Sequence, residues 1–218
     1  MSDDRRPISQ RSLRWAKGLA AALAQSGVRP NWISFAGIVF AAFGGLCFYA
    51  IGLAAGAVER TLLCIGAGAF CQLRLLANMM DGMVAVEGGR GEPDGQLWNE
   101  VPDRLADVLI LVGAGYGVAA LGLADASLGW AAAVAALMTA YVREAARNAD
   151  APADYSGPMA KPHRMFVMTV AALLTSFDSQ LGGEGSILRF ALWIVLIGSA
   201  FTAANRLRRA LAHLKARA

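Results

Sequence analysis

Six long, predominantly apolar segments separated by short polar breaks run through this sequence and limit the folds open to it. By residue number they are 32–53, 60–86, 95–122, 127–147, 163–178 and 186–207. A helix needs roughly 20 apolar residues to cross a bilayer. Within hydrocarbon, a helix satisfies its backbone hydrogen bonds inside one segment. The pattern therefore predicts an all-α, polytopic membrane protein with six transmembrane helices.

The composition agrees with a membrane protein. Of 218 residues, 56% are hydrophobic and 17% are charged, whereas soluble domains carry about 25% charged residues. The net charge is +4, but the basic residues gather at the ends and in particular loops, so we expect no nucleic-acid partner. Three cysteines, Cys47, Cys64 and Cys71, fall in apolar segments without metal-ligand spacing, which predicts buried thiols.

The first 30 residues carry a different pattern. Over 9–26, apolar residues such as Leu13 and Ala20 recur at helical spacing, while basic residues occupy the rest of the helix surface. This pattern predicts an amphipathic helix lying on the membrane surface; the alternative is a solvated basic tail. Pro30 cannot continue the helix and separates it from the first apolar segment.

The distribution of basic residues indicates the orientation in the membrane. They flank the first and last apolar segments: Arg5, Arg6, Arg11, Arg14, Lys17, Arg29, Arg206, Arg208, Arg209, Lys215 and Arg217. Because cytoplasmic flanks carry the excess of Lys and Arg, we expect both termini and the 87–94 loop in the cytoplasm. We predict that the membrane is a bacterial inner membrane. We divide the chain into a cytoplasmic N-terminus (1–30), a six-helix transmembrane domain (31–207) and a basic cytoplasmic tail (208–218).

A cluster of oxygen-bearing side chains interrupts the apolar sequence near the cytoplasmic loop. Asn78 and Asp81 are three residues apart on one segment, and Asn99, Asp103 and Asp107 are spaced by four on the next. Each set shares a helix face, and polar residues within membrane segments are functional candidates by default. Facing oxygen ligands suit Mg²⁺ or Mn²⁺. The alternative is that they only bridge helices.

One charged residue lies deeper than this cluster. Arg74 comes one helical turn before Asn78, and Asp107 comes one turn after Asp103 on the antiparallel partner. An unpaired charge at that depth is expensive. The spacing therefore predicts a structural ion pair between Arg74 and Asp107, which would remove Asp107 from cation binding.

The cluster and its spacing resemble the motif of the CDP-alcohol phosphotransferase family, D-x2-D-G-x2-A-R-x8-G-x3-D-x3-D. Every spacing fits this chain, as do the six segments and the N-terminal helix. The matching positions here are Asn78, Asp81, Gly82, Ala85, Val86, Gly95, Asn99 and Asp103.

The resemblance implies transfer of a phosphatidyl group from a CDP-linked lipid alcohol, CDP-diacylglycerol, to an acceptor alcohol with release of CMP, in phospholipid biosynthesis. It also implies two divalent ions, Mg²⁺ or Mn²⁺, and Asp103 as general base. The implied metal ligands are Asn78, Asp81, Gly82, Asn99 and Asp103, and the implied nucleotide contacts are Asp81, Gly82, Ala85 and Gly95.

Three departures from the motif leave two interpretations open. Asn78 and Asn99 replace aspartates, and Val86 replaces the arginine. An amide oxygen can bind a cation but brings no negative charge. The chain is then either a divergent enzyme with altered metal stoichiometry or a catalytically impaired membrane protein of the same fold that binds nucleotide-lipid or acts as a scaffold. We favour the enzyme because Asp81 and Asp103 remain.

A second, basic group flanks the 148–162 loop. Arg143, Lys161 and Arg164 stand where the family has acceptor or phosphate contacts, and charge-assisted hydrogen bonds from them could hold an anion. This group favours a phosphorylated alcohol as acceptor; for Lys161 and Arg164 the alternative is ordinary cytoplasmic loop charge. The resemblance further suggests a homodimer surrounded by membrane lipids.

Overall fold

A computed structural model of the chain describes residues 13–87, 93–178 and 185–217. Those residues contain helices and no strand, which confirms the all-α class. The helices are α1 (Arg14–Gln25), α2 (Pro30–Ile51), α3 (Ala57–Glu87), α4 (Gly95–Ala120), α5 (Ser127–Asn148), α6 (Lys161–Thr175) and α7 (Ser186–Lys215).

The helix ends differ from the predicted ends in two informative places. α2 begins at Pro30, because proline is favoured in the first turn of a helix, where its missing N–H costs no hydrogen bond. α7 continues to Lys215, so most of the predicted tail over 208–218 is helical; the Ala, Leu, Arg and Lys residues there all have high helix propensity. Residues 9–12 of the predicted surface helix and 88–92 of the predicted loop lie outside the described residues.

Three of the described helices are long and apolar enough to cross a membrane. They are Pro30–Ile51, Ala57–Val86 and Ser186–Lys215. Among the others, α6 has 15 residues, and the first half of α4 carries charged side chains, including Asp103 and Asp107. The apolar helices indicate a membrane protein.

The six helices after α1 form a closed arrangement. α2 packs along both α3 and α4, α4 packs on α5, α5 packs on α7, and α6 contacts both α7 and α3. α3 and α4 touch each other less than each touches α2. As a result, the polar turns of α3 and α4 meet beside α2, near the start of α6.

Glycines allow α2 and α4 to approach closely. A Cβ atom at Gly113 would overlap the backbone of Gly45, and one at Gly117 would overlap the backbone of Phe48. The approach to α3 is less close: a Cβ atom at Gly44 would lie 3.3 Å from the Phe70 Cβ atom, a tight contact but not an overlap. Small residues at helix contacts are typical of membrane bundles, and α2 is thereby held between its two neighbours.

The short helix α1 packs against the end of α3. Its buried residues, Ala16 and Ala20, share a hydrophobic cluster with Met80 and Met83 of α3. The opposite face of α1 exposes Trp15, which is 52% accessible. α1 therefore supports the turn of α3 that bears Asp81.

Candidate catalytic site

The predicted polar cluster surrounds a small cavity where α2, α3 and α4 meet. The cavity measures about 10 Å³, which is about the volume that one water molecule needs. It is lined by Ser34, Gly37, Arg74, Asn78, Asp81, Pro102, Asp103 and Ala106. The two polar stretches that the sequence predicted to face each other therefore do so.

Asp81 is held on both oxygens. Ser34 donates its hydroxyl to Asp81 Oδ2 at 2.7 Å, and the Gly82 backbone N–H donates to Asp81 Oδ1 at 2.5 Å. Asp81 is 5% exposed. Ser34 was not predicted as a site residue, although a hydroxyl one turn inside α2 is a polar exception in an apolar helix and could have indicated it.

A single ammonium group joins two of the predicted ligand positions, and a third lies next to one of them. Lys161 at the start of α6 forms an ion pair with Asp103 Oδ2 and donates to Asn78 Oδ1. The Asn78 amide nitrogen lies 3.5 Å from Asn99 Oδ1. The three side chains from α3 and α4 thus share one polar contact network with α6.

Below this network, Asp107 is bound by two arginines. Arg74 Nη2 lies 3.1 Å from Asp107 Oδ1, the pairing expected from the sequence, and Arg164 Nη2 lies 2.7 Å from Asp107 Oδ2. Asp107 is 2% exposed. Arg164 also donates to the Met159 carbonyl at 2.8 Å. Both carboxylate oxygens are occupied, so Asp107 serves the helix contacts and is not positioned as a cation ligand.

Arg74 connects this buried pair to the cavity above it. Its Nη2 also donates to the Asp103 backbone carbonyl at 2.9 Å and lies 3.6 Å from Asp103 Oδ1. Its Nε and Nη1 have no hydrogen-bond partner among the described residues, and Arg74 lines the cavity. Because unsatisfied buried donors are costly, these N–H groups favour an oxygen-bearing occupant of the cavity.

Arg143 belongs to a separate network nearer the surface. It lies 2.6 Å from Glu100 and 2.7 Å from Glu144, and its guanidinium stacks over the Tyr155 ring at 4.9 Å. Arg104 pairs with the same Glu100 carboxylate. The basic residues expected to hold an anion, Arg143, Lys161 and Arg164, thus each have a carboxylate partner and do not meet at one open space.

The loop before α6 is fixed at several points, and these contacts place Lys161. Met159 N donates to Thr202 Oγ1 at 3.1 Å, and Arg206 donates to the Ser156 carbonyl at 2.9 Å.

The same loop contains Asp154, whose pKa is lowered. Partial burial raises this pKa, but the hydrogen bonds from Ser156 and the positive charge of Arg209 outweigh the effect of burial.

The motif positions with small side chains leave space next to the cluster. Gly82 and Ala85 are half-buried on α3. A Cβ atom at Gly95 would meet no other atom within 4 Å. Val86, which replaces the motif arginine, is 46% exposed. The small residues therefore add little bulk at these motif positions, while Asp81 itself is buried.

The side chains of the cluster suit a cation bound through oxygen atoms, and the ligands themselves carry a low total negative charge. No group of three or more His, Cys, Asp or Glu residues within 13–87, 93–178 and 185–217 is arranged to hold a metal ion. The oxygen set instead combines the carboxylates of Asp81 and Asp103 with the amides of Asn78 and Asn99. Oxygen donors of this kind suit Mg²⁺ or Mn²⁺, and the Lys161 ammonium shows that the cluster holds a positive charge.

Comparison with known proteins gives one sequence relative and several similar structures. No protein-family model matches the chain. A phosphatidylinositol phosphate synthase from Mycolicibacterium smegmatis is 26% identical over 198 residues, which cover 89% of this chain and 82% of the relative. The crystal structure of the Mycobacterium tuberculosis phosphatidylinositol phosphate synthase with CDP-DAG bound matches with a TM-score of 0.73 and 20% identity, covering 91% of this chain and 94% of that one.

A second crystal structure of the M. tuberculosis protein, in complex with manganese and citrate, matches with a TM-score of 0.73 and 20% identity over 90% of this chain and 88% of that one. The solved structures show that the fold is shared over nearly the whole chain. Together with the sequence relative, they confirm the resemblance to the CDP-alcohol phosphotransferases.

Proposed function

We propose that this chain transfers a phosphatidyl group from CDP-diacylglycerol to an alcohol acceptor, with release of CMP, in phospholipid biosynthesis. The observation that carries the proposal is the meeting of Asp81 and Asp103 at one cavity, with the motif spacing intact between them. A relative whose solved structure contains CDP-DAG supports the identity of the donor.

In this proposal Asp103 is the general base. The acceptor oxygen forms a bond to the phosphorus atom, the bond between that phosphorus and CMP breaks, and Asp103 takes the proton of the acceptor hydroxyl. A general base must lie within hydrogen-bond reach of that proton, and Asp103 borders the cavity. Arg74 and Lys161 contact the Asp103 carboxylate and orient it.

A divalent cation would be held by Asp81, with the Gly82 carbonyl and the amides of Asn78 and Asn99 as further ligands. When bound, Mg²⁺ or Mn²⁺ would stabilise charge on the transferring phosphoryl group and on the leaving CMP. The manganese in the M. tuberculosis structure supports a divalent ion. Ser34 fixes the Asp81 carboxylate in position for this role.

The nucleotide would lie beside Asp81, Gly82, Ala85 and Gly95, where the small residues leave space for it. We propose a phosphorylated alcohol as acceptor, because a phosphatidylinositol phosphate synthase is a relative and because basic side chains border the site. Of the three predicted acceptor contacts, Arg143, Lys161 and Arg164, we propose Lys161 as the nearest to the site; Arg143 would have to leave Glu100 and Glu144 to reach an acceptor, and Arg164 would act only through Asp107.

We further propose the placement in the membrane. The helices α2 to α7 would all cross a bacterial inner membrane, with both termini and the catalytic site on the cytoplasmic side, and α1 would lie on its surface. The division into an N-terminal part, a transmembrane catalytic domain and a C-terminal tail follows from this placement, with the tail partly helical. Gly- and Ala-rich helix surfaces would permit a homodimer.

The alternative function, a nucleotide-lipid binder or scaffold of the same fold, is favoured by the two asparagines. The test is CMP release by the purified chain with CDP-diacylglycerol, Mn²⁺ and a panel of phosphorylated and free alcohols. We expect one acceptor to support CMP release and the Asp103→Asn variant to lose it by at least roughly a hundredfold, as for loss of a general base.

The matched control is Asp125→Asn, which changes an exposed carboxylate before α5 and should retain activity. If no acceptor supports CMP release while wild type and Asp103→Asn bind CDP-diacylglycerol equally, the binder replaces the enzyme.

A further inference from the structure

The Lys161 ammonium group lies where a bound cation belongs in this site. It contacts Asp103 Oδ2 and Asn78 Oδ1, and both side chains stand at predicted cation-ligand positions. The Lys161 side chain is 14% exposed, so the ammonium is enclosed between α3, α4 and α6. A metal ion cannot lie between these two oxygens while the ammonium group is there.

The charges of the cluster lead to the same conclusion. With Asn78 and Asn99 in place of aspartates, the ligand set keeps two carboxylates, Asp81 and Asp103. Lys161 already supplies one positive charge to that pair, and the charge count of the ligands tunes the affinity for divalent cations. The remaining negative charge is suited to one divalent ion and is too small for two.

The two buried arginines bind Asp107 more closely than they approach the ligand pair, and Arg74, whose Nη2 also lies 3.6 Å from Asp103 Oδ1, can only lower the negative charge of that pair further. Arg164 is bound to Asp107 at 2.7 Å, and Arg74 is bound to the same carboxylate at 3.1 Å. Lys161, by contrast, reaches upward to the ligand positions themselves. Its place is set by the pinned loop before α6, in which Met159 is tied to Thr202.

We infer that the Lys161 ammonium takes one of the two cation positions of the site, between Asn78 and Asp103, and that this chain binds one divalent cation, at Asp81, in place of two. The inference rests on the proposed function for the existence of the second position. The inference also explains why Asn78 and Asn99 replace aspartates. A monovalent ammonium group needs fewer anionic ligands than a second divalent ion. Lys161 is then a positioning residue for Asp103 and for the donor phosphates.

The test is the stoichiometry and affinity of Mn²⁺ binding to the purified full-length chain, measured from the loss of the electron paramagnetic resonance signal of free Mn²⁺. Wild type should bind one ion. Lys161→Met should bind Mn²⁺ at least roughly tenfold more tightly, because a positive charge a few ångströms from a divalent ion is removed. Adding Asn78→Asp and Asn99→Asp to Lys161→Met should raise the stoichiometry to two.

Arg104→Gln is the matched control. Arg104 Nη1 lies 3.9 Å from the same Asp103 oxygen but bridges no second ligand, so its removal should change the Mn²⁺ affinity by less than about threefold, as for partly exposed pairs. Two ions or none on wild type, or an unchanged or weakened affinity in Lys161→Met, overturns the inference. Should Lys161→Met aggregate, the wild-type stoichiometry decides alone. The Mn²⁺ measurement does not depend on CMP release, so the stoichiometry stands even if the proposed function fails. A chain that releases CMP and binds two ions would overturn the inference and leave the proposed function in place.

Discussion

Asp107 lies one helical turn from Asp103, but its buried charge serves to hold helices together. Its two oxygens face Arg74 and Arg164, and all three side chains are almost fully buried. Breaking a buried ion pair by removing one partner leaves an uncompensated charge. The triad therefore stabilises the contact among α3, α4 and α6 directly beneath Asp103.

We expect Asp107→Asn to lower the free energy of unfolding by about 3–5 kcal/mol, the range for loss of one partner of a buried pair. Thermal unfolding of the purified protein in detergent measures the loss. The double variant Arg74→Met with Asp107→Asn should lose less than the sum of the single variants, because the residues interact directly. Additive losses would show that Arg74 and Asp107 do not depend on each other.

Spacing alone predicted much of the site at this scale. The spacing of three and four residues on two antiparallel helices predicted that Asp81 and Asp103 would meet and that Arg74 would pair with Asp107. Ser34 and the contacts of Lys161 could not be derived in this way. Both depend on how α2 and α6 approach α3 and α4, and a long lysine side chain can reach several partners from one backbone position.

The contact between α2 and α4 depends on the absence of side chains. A Cβ atom at Gly113 would overlap the Gly45 backbone, which cannot move aside as a flexible side chain can. This contact carries α4, and with it Asp103, to the cavity. The glycines are therefore as important to the site geometry as the polar residues.

Gly113→Ala should destabilise the protein by about 1–3 kcal/mol, the range for overpacking a well-packed interior. The measurement is the denaturation midpoint in detergent. Gly18→Ala is the control, since Gly18 lies within α1 and a Cβ there meets no atom within 4 Å; it should be neutral or slightly stabilising, because alanine favours helices. Equal effects of the two substitutions would contradict a close α2–α4 contact.

Helix positions were predictable from the sequence, but their neighbours were not. Apolar blocks and proline or glycine breaks located each helix to within a few residues, apart from the long extension of α7. The central position of α2 was not foreseen. In a membrane helix most faces are apolar, so hydrophobic periodicity gives little information about which neighbour each face contacts.

At the scale of the whole molecule, charges are gathered inside and at one end of an apolar bundle. The surface of α2, α3 and α7 suits hydrocarbon, while ion pairs join α3, α4 and α6 within. In the proposed placement, the reacting groups would lie at the membrane boundary, where a lipid donor and a water-soluble acceptor could both reach them. The less apolar helices α4 and α5 and the 15-residue α6 then need neighbouring helices on both sides to lie in the membrane.

The crossing of α5 tests this placement directly. A membrane-impermeant maleimide should label Asp125→Cys, before α5, and Asp154→Cys, after α5, from opposite sides of the membrane. Asp154→Cys should react only from the cytoplasm. Of the three native cysteines, Cys64 and Cys71 are buried, whereas Cys47, also predicted to be buried, is partly exposed, so labelling is compared with that of the chain without the introduced cysteines. Labelling is measured in intact cells and in inverted vesicles. If both positions react from the same side, α5 does not cross the membrane, and the six-span arrangement is wrong.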